Sequence, residues 1–274
     1  MNSISFGQFY PSNSFIHKLD PRVKIIVAIA YIVASFLCTN IASFGLLLAS
    51  AIMLILLARI PLRIIFKSLK AIIFIMAFTA VLNVFLTSTP DSKPIFSWWI
   101  INIYEAGLYN AAFIVVRIIA MIIGTSVFLT YTTTPIQLTD AIEQLLAPLK
   151  LFRLPVHEFA MMMTIALRFI PTIIEETEKI MAAQKARGAD FTTGSPVKRV
   201  KALIPIIIPL FISAFRRAGE LATAMTCRCY RGGKGRTKLN RLKIGYRDVM
   251  IVIAAVLFII GIILLNQLNL GYSM

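Results

Sequence analysis

Two arginines hold the most specific chemistry in the chain. Arg187 stands in Ala186-Arg187-Gly188, and Arg228, 41 residues further on, stands in Cys227-Arg228-Cys229. Their surroundings, KIMAAQKARGADF and LATAMTCRCYRGG, both read as the end of a long helical stretch. A guanidinium is a planar fork of donors that meets a carboxylate through two parallel hydrogen bonds. Small residues on both sides let that fork enter a narrow pocket unobstructed. Two such tips on one chain suit a partner with two similar acidic grooves. A plainer account also exists, because the helix macrodipole favours a cation in the last turn of any helix. The repetition of the whole arrangement is what that account leaves unexplained.

Other constellations offer less. RGGKGRTK at 231–238 superficially resembles a phosphate-binding loop, but Gly235 is followed by Arg236 where such a loop needs Lys, and no strand precedes it. The chain does not itself read as an ATPase. Glu175, Glu176 and Glu178 form an acidic cluster of the kind expected to be solvated or paired with neighbouring Lys179 and Lys185. His157 and Glu158 are adjacent and point apart on a helix, so a structural role is expected. Met161, Met162, Met163 and Met181 read as adaptable packing surface. Cys38, Cys227 and Cys229 make no disulfide framework, and no metal site is expected from Cys-x-Cys with His17 and His157 far away. Arg117 sits within an apolar run, where a cation is costly, which makes it a candidate intramembrane functional residue. A partner carboxylate or a protein-facing position is expected for it.

The elements that must position these residues are membrane helices. Apolar residues make up 58% of the 274-residue chain and charged residues 15%, with a mean hydropathy of +0.83. Globular chains run nearer 45–50% and about 25%, so much of this chain needs lipid. Spans are expected at 25–39, 41–58, 71–87, 106–131 and 249–267, each near the roughly 20 residues that cross a bilayer. RIPLRIIFKSLK at 59–70 reads as a short basic amphipathic element at a membrane surface. Residues 88–105 read as a turn-rich loop, with Trp98 and Trp99 suited to a headgroup belt. The amino-terminal MNSISFGQFYPSNSFIHKLDPR lacks a signal pattern and reads as an amphipathic lead-in.

The net charge of +16 would suggest nucleic acid in a soluble protein. Here it follows membrane topology instead. Lys18, Arg22 and Lys24 precede the first span, four more cations fill 59–70, and Lys93 stands alone in the next loop. The positive-inside rule then expects a cytoplasmic amino terminus and, after five spans, an outside carboxyl terminus. Residues 132–248 hold 19 of the 28 Lys and Arg residues and are expected to form a cytoplasmic or interfacial region. Its punctuation predicts helices at about 136–147, 156–187 and 198–230, with Pro171 within the second. The apolar core of the third, LIPIIIPLFISAF, holds Pro205 and Pro209 and is too short to span cleanly. The expected fold is all-α and polytopic, with a transmembrane region at 1–131, the inserted region at 132–248 and a final helix at 249–274.

At this point the residues support a resemblance. GQFYPSNSFIHKLDPRVKI, ALRFIPTIIEETEKIMAAQKARGADF, PIIIPLFISAFRRAGELATAM and YRGGKGRTK resemble the transmembrane T component (EcfT/CbiQ-like) of energy-coupling factor transporters, prokaryotic importers of vitamins and trace metals. The likeness covers nearly the whole chain. It implies a non-catalytic scaffold with no cofactor. The family's two arginine motifs map onto Ala186-Arg187-Gly188 and Cys227-Arg228-Cys229, and imply contact with two ABC-type ATPase subunits, expected as a heterodimer. The second motif departs from Ala-Arg-Gly by its cysteine flanks, which are still small. The membrane helices are implied to hold a substrate-binding S component, and no nucleic acid is expected as a partner. A self-contained secondary transporter or channel, with Arg117 on the substrate path, is the alternative. It would call for broken helices and internal repeats, and no repeat is found among the spans. A membrane-embedded enzyme would need clustered His, Asp or Glu, and the two histidines are widely separated.

Overall fold

The structure is a computed structural model that describes residues 10–12, 14–86, 94–98, 101–152, 155–191, 195–232 and 244–268. Among these residues it is helical apart from one hairpin, and it divides into two compact units. The first comprises residues 1–141 with 241–274, the second 142–240. Lys93, Trp99 and most of RGGKGRTK lie outside the described residues.

In the first unit, α1 (Pro21–Leu37) opens on an Asp20 cap, whose side chain accepts from the Arg22 N–H, with proline at the first helical position. α2 (Ile41–Ala58) follows across Asn40. It ends with Arg59 in the left-handed region (φ 53°), its N–H bonded to the Leu56 carbonyl. The basic stretch at 59–70 is not a separate surface element. Arg63, Lys67 and Lys70 belong to the opening turns of one continuous helix, α3 (Leu62–Leu86), that runs on through the expected third span. No proline or glycine interrupts LRIIFKSLKAIIF, so propagation costs less than a break. The expected turn-rich loop holds a two-stranded antiparallel hairpin, β1 (Pro94–Trp98) with β2 (Ile101–Tyr104), in which Trp98 opposes Ile101.

α4 (Glu105–Thr125) packs against α1, α2 and α3, and α8 (Tyr246–Gln267) packs against α1 and α2. Val27, Ala34, Phe44, Leu47, Val127, Phe128 and Ile262 are buried in this core. Gly124 is required by the close approach of α4 to α1, because a Cβ there would overlap the Tyr31 ring. α4 continues as a six-residue π-helix, Ser126–Tyr131, a feature that apolar periodicity does not announce. Its wider turn is bound by side chains: Thr132 and Thr133 both donate their hydroxyls to the Phe128 carbonyl at 3.0 Å.

Among the described residues, five helices are long and apolar enough to cross a membrane: Ile41–Ala58, Leu62–Phe85, Gly107–Tyr131, Val156–Ala186 and Tyr246–Gln267. The chain is a multi-pass membrane protein. This set differs from the sequence expectation at one member. α1 is only 17 residues, roughly 26 Å, while α6 (Val156–Ala186) qualifies by length at the lowest hydropathy of the five.

The second unit contains α6 and α7 (Pro196–Cys227), which pack on one another. α5 (Pro135–Leu145) leads towards them, followed by a short 3₁₀ turn, Ala147–Phe152. Pro171 lies inside α6, and Pro205 and Pro209 inside α7, without ending either helix.

Candidate functional site: two arginine helix tips

α6 and α7 end in the same local geometry. Arg187 is the last capping residue of α6 and Arg228 that of α7. After Arg187, the Gly188 N–H bonds back to the Lys185 carbonyl (2.9 Å) and the Ala189 N–H to the Gln184 carbonyl (3.0 Å). After Arg228, the Cys229 N–H bonds to the Thr226 carbonyl (2.9 Å) and the Tyr230 N–H to the Met225 carbonyl (3.0 Å). Both are Schellman closures, in which the residue after the cap must turn left-handed. Gly188 does so at φ 86° and Cys229 at φ 55°. The left-handed turn is natural for glycine and strained for cysteine. Ala186, Arg187, Gly188, Cys227, Arg228 and Cys229 are all exposed. The closure satisfies the helix-end carbonyls with backbone donors, which leaves both guanidinium groups available for an external anion.

The crossing of the two helices is set symmetrically with respect to these tips. Glu176 of α6 receives a hydrogen bond from Arg217 Nη2 of α7 at 2.9 Å. Glu176 precedes Arg187 by 11 residues, and Arg217 precedes Arg228 by the same 11, about 16 Å of helix in each case. The acidic cluster therefore does not pair only along its own helix with Lys179 and Lys185, since its middle member reaches across to α7. Around the pair, Phe169, Ile173, Leu210, Ala214, Leu221 and Met225 line a cavity of about 300 Å³. His157 is bonded through Nδ1 to Glu143 Oε1 at 3.0 Å and has the structural role expected of it.

Arg117 is placed well away from the tips in sequence and has contacts of another kind. Its Nη2 donates to the Cys38 carbonyl at 2.8 Å, at the carboxyl end of α1. Its guanidinium lies 6.0 Å from the Phe36 ring centroid and 5.3 Å from that of Phe44. A cation there complements the negative end of the α1 dipole and the faces of two rings. The expected protein-facing position is observed, with a helix end and aromatic faces as its surroundings.

Sequence reading missed two polar clusters in the first unit. In one, buried Lys24 donates through Nζ to the Thr132 carbonyl (2.7 Å), clamping α1 to the end of the π-helix. Beside it Asp248 at the start of α8 accepts from the Asp20 N–H and the Gly245 N–H, both at 2.7 Å. Arg22 donates to both Asp20 oxygens, at 3.1 and 2.8 Å. In the other, Asn266 near the end of α8 donates to the Leu37 carbonyl (2.6 Å) and accepts from the Ser43 hydroxyl (2.5 Å), pinning the α1–α2 turn. The only sequence signal for either cluster was a polar residue at the margin of an apolar run.

Comparison with known proteins now decides the family. A family model described as "Cobalt transport protein" (CbiQ) matches residues 12–239, most of the chain and both arginine tips. The chain belongs to the CbiQ/EcfT family. It is 48% identical to the energy-coupling factor transporter transmembrane protein EcfT of Clostridium kluyveri, over 94% of this chain and 95% of that protein. Its identity to the EcfT of Ruminiclostridium cellulolyticum is 47%, over 97% and 98%, and to that of Bacillus subtilis 46%, over 94% and 98%. The CbiQ/EcfT assignment makes this chain the transmembrane component of an energy-coupling factor transporter.

Proposed function

We propose that Arg187 and Arg228 seat this CbiQ/EcfT chain on two ABC-type ATPase subunits, one tip per subunit, and that the chain itself performs no catalysis. ATP hydrolysis belongs to those partners. Movement of the tips is passed through the crossed helices α6 and α7 to a substrate-binding S component held in the membrane, which determines which vitamin or trace metal enters. The observation that supports this reading is the duplicated tip: two exposed arginines on matching Schellman closures, each 11 residues past one crossing ion pair. In this topology α1 crosses the membrane and α6 does not. α1 is held among α4 and α8 by buried contacts, whereas α6 carries Glu158, Arg168, Glu175, Glu176, Glu178, Lys179 and Lys185, which lipid disfavours. The cations around the first spans support a cytoplasmic amino terminus, and the parity of five spans then supports residues 132–248 in the cytoplasm and the carboxyl terminus outside.

The test is Arg187→Glu and Arg228→Glu, singly and together, in the assembled transporter. Losing one partner of a desolvated charge pair costs roughly 2–5 kcal/mol. Each substitution is therefore expected to release its ATPase subunit on purification and to abolish ATP-driven uptake while the chain remains in the membrane. Wild-type assembly and uptake in the double variant would overturn the reading.

A further inference from the structure

Cysteine is among the residues most often buried, and Cys38 conforms. It is fully buried and directs its thiol at the Ala34 carbonyl. Cys227 and Cys229 do the opposite, being exposed on either side of Arg228. Cys229 also occupies a left-handed position that glycine fills at the other tip. Neither thiol packs a core, and the α6 tip reaches the same closure with Ala186 and Gly188. The two accessible thiols among the described residues thus lie at one of two otherwise matching tips.

We propose that Cys227-Arg228-Cys229 is a thiol-modification site, at which a small carboxylate-bearing disulfide forms a mixed disulfide on the unseated tip and keeps this tip alone from docking. The proposal rests on the docking role of Arg228 given above. In the step, a cysteine gives up its proton and its sulfur attacks one sulfur of the small disulfide. The new S–S bond forms as the old one breaks, and the departing sulfur keeps the bonding electron pair and takes up a proton as a free thiol. The cysteine sulfur is oxidised and the departing sulfur reduced. A second small thiol reverses the exchange. The consequence follows from the geometry of the motif. Small flanks are what let the guanidinium enter a narrow groove, and an adduct on either side removes that access. Its carboxylates also lie within reach of Arg228 and compete for the same fork of donors. The Ala186-Arg187-Gly188 tip has no thiol and is untouched, so oxidation blocks one ATPase contact and spares the other.

The experiment treats the full chain with glutathione disulfide as the probe before its ATPase subunits are added, and then measures assembly. Mass analysis is expected to find adducts at Cys227 or Cys229 and none at Cys38. Retention of one ATPase subunit and ATP-driven uptake are expected to fall at least about tenfold, the effect of losing ~1.4 kcal/mol, and to return with dithiothreitol. Measured against its own untreated level, the Cys227→Ser, Cys229→Ser double variant is expected to lose no retention or uptake when the probe is added, and Cys38→Ser to respond like the wild type. Adducts that leave retention unchanged, in a transporter that Arg228→Glu disassembles, would overturn the thiol proposal and leave docking intact. Failure of the free chain to form adducts at either cysteine would also overturn it. If Arg228→Glu itself leaves assembly at wild-type level, the docking reading fails and this proposal falls with it.

Discussion

Gly188 and Cys229 hold the same left-handed position at the two tips, and the difference between them is measurable. Nothing lies within 4 Å of the place where a Cβ on Gly188 would sit, so the cost of Gly188→Ala is conformational, about 1–2 kcal/mol. The Ala189 amide should then lose hydrogen-exchange protection. Cys229→Gly relieves the same strain and should increase protection at the Tyr230 amide, which is bonded to the Met225 carbonyl. Arg117 gives a contrasting case, because it meets two rings and a helix end within the chain. Arg117→Met is expected to lower stability by about 1–3 kcal/mol through the carbonyl it leaves unpaired, measured by thermal unfolding in detergent. Uptake per folded molecule should persist. Loss of uptake at unchanged stability would instead place Arg117 in the transport step.

The start of α1 is tied by charges as well as by apolar packing, and this predicts an acid limit. Burial raises the Asp20 carboxyl, but the hydrogen bonds and charge of Arg22 outweigh it and hold its pKa below the usual 3.8. His17 also titrates low. Burial is the main cause, opposed by its bond to the Tyr10 carbonyl and aided by the Lys24 charge. Both shifts have the same sign: the unfolded chain takes up the proton first as pH falls. Their stabilisation is present at neutral pH and is lost as pH falls, first below about 6.5 as His17 charges and then below about 3.8 as Asp20 protonates. Thermal unfolding across that range should show two descending limbs, and His17→Gln should remove the upper one. The elements themselves were mostly legible. α6 and α7 fall within a few residues of the helices expected at 156–187 and 198–230. Gly188 closes α6 as its sequence indicates, whereas α7 stops short of Gly232, at the left-handed Cys229. The boundary at 71 failed for lack of any helix breaker between 62 and 86, where a run of cations was taken for an end. The hairpin at 94–104 was obscured by Pro94 and by turn-forming residues around it.

For the whole molecule, the decisive property is that the described residues supply helices and tips, while the sequence holds no G-x-x-x-x-G-K-[ST] pattern. Reconstituted alone in liposomes, it should accumulate no vitamin or metal ion, and uptake should appear only with ATPase and S-component partners. Accumulation by the chain alone would support a self-contained transporter. Composition and run lengths determined by themselves that this is a polytopic helical membrane protein, because bilayer thickness is written locally in the chain, and the likeness of whole segments added the CbiQ/EcfT type. Tertiary structure decided what local pattern could not. It paired Glu176 with Arg217, buried Lys24 against the π-helix, set Asp248 on the start of α1, and turned Arg117 towards the end of that same helix. Each of these contacts joins residues far apart in sequence. Their partners are chosen by the need to satisfy polar groups where helices meet, a condition that exists only once the helices have packed.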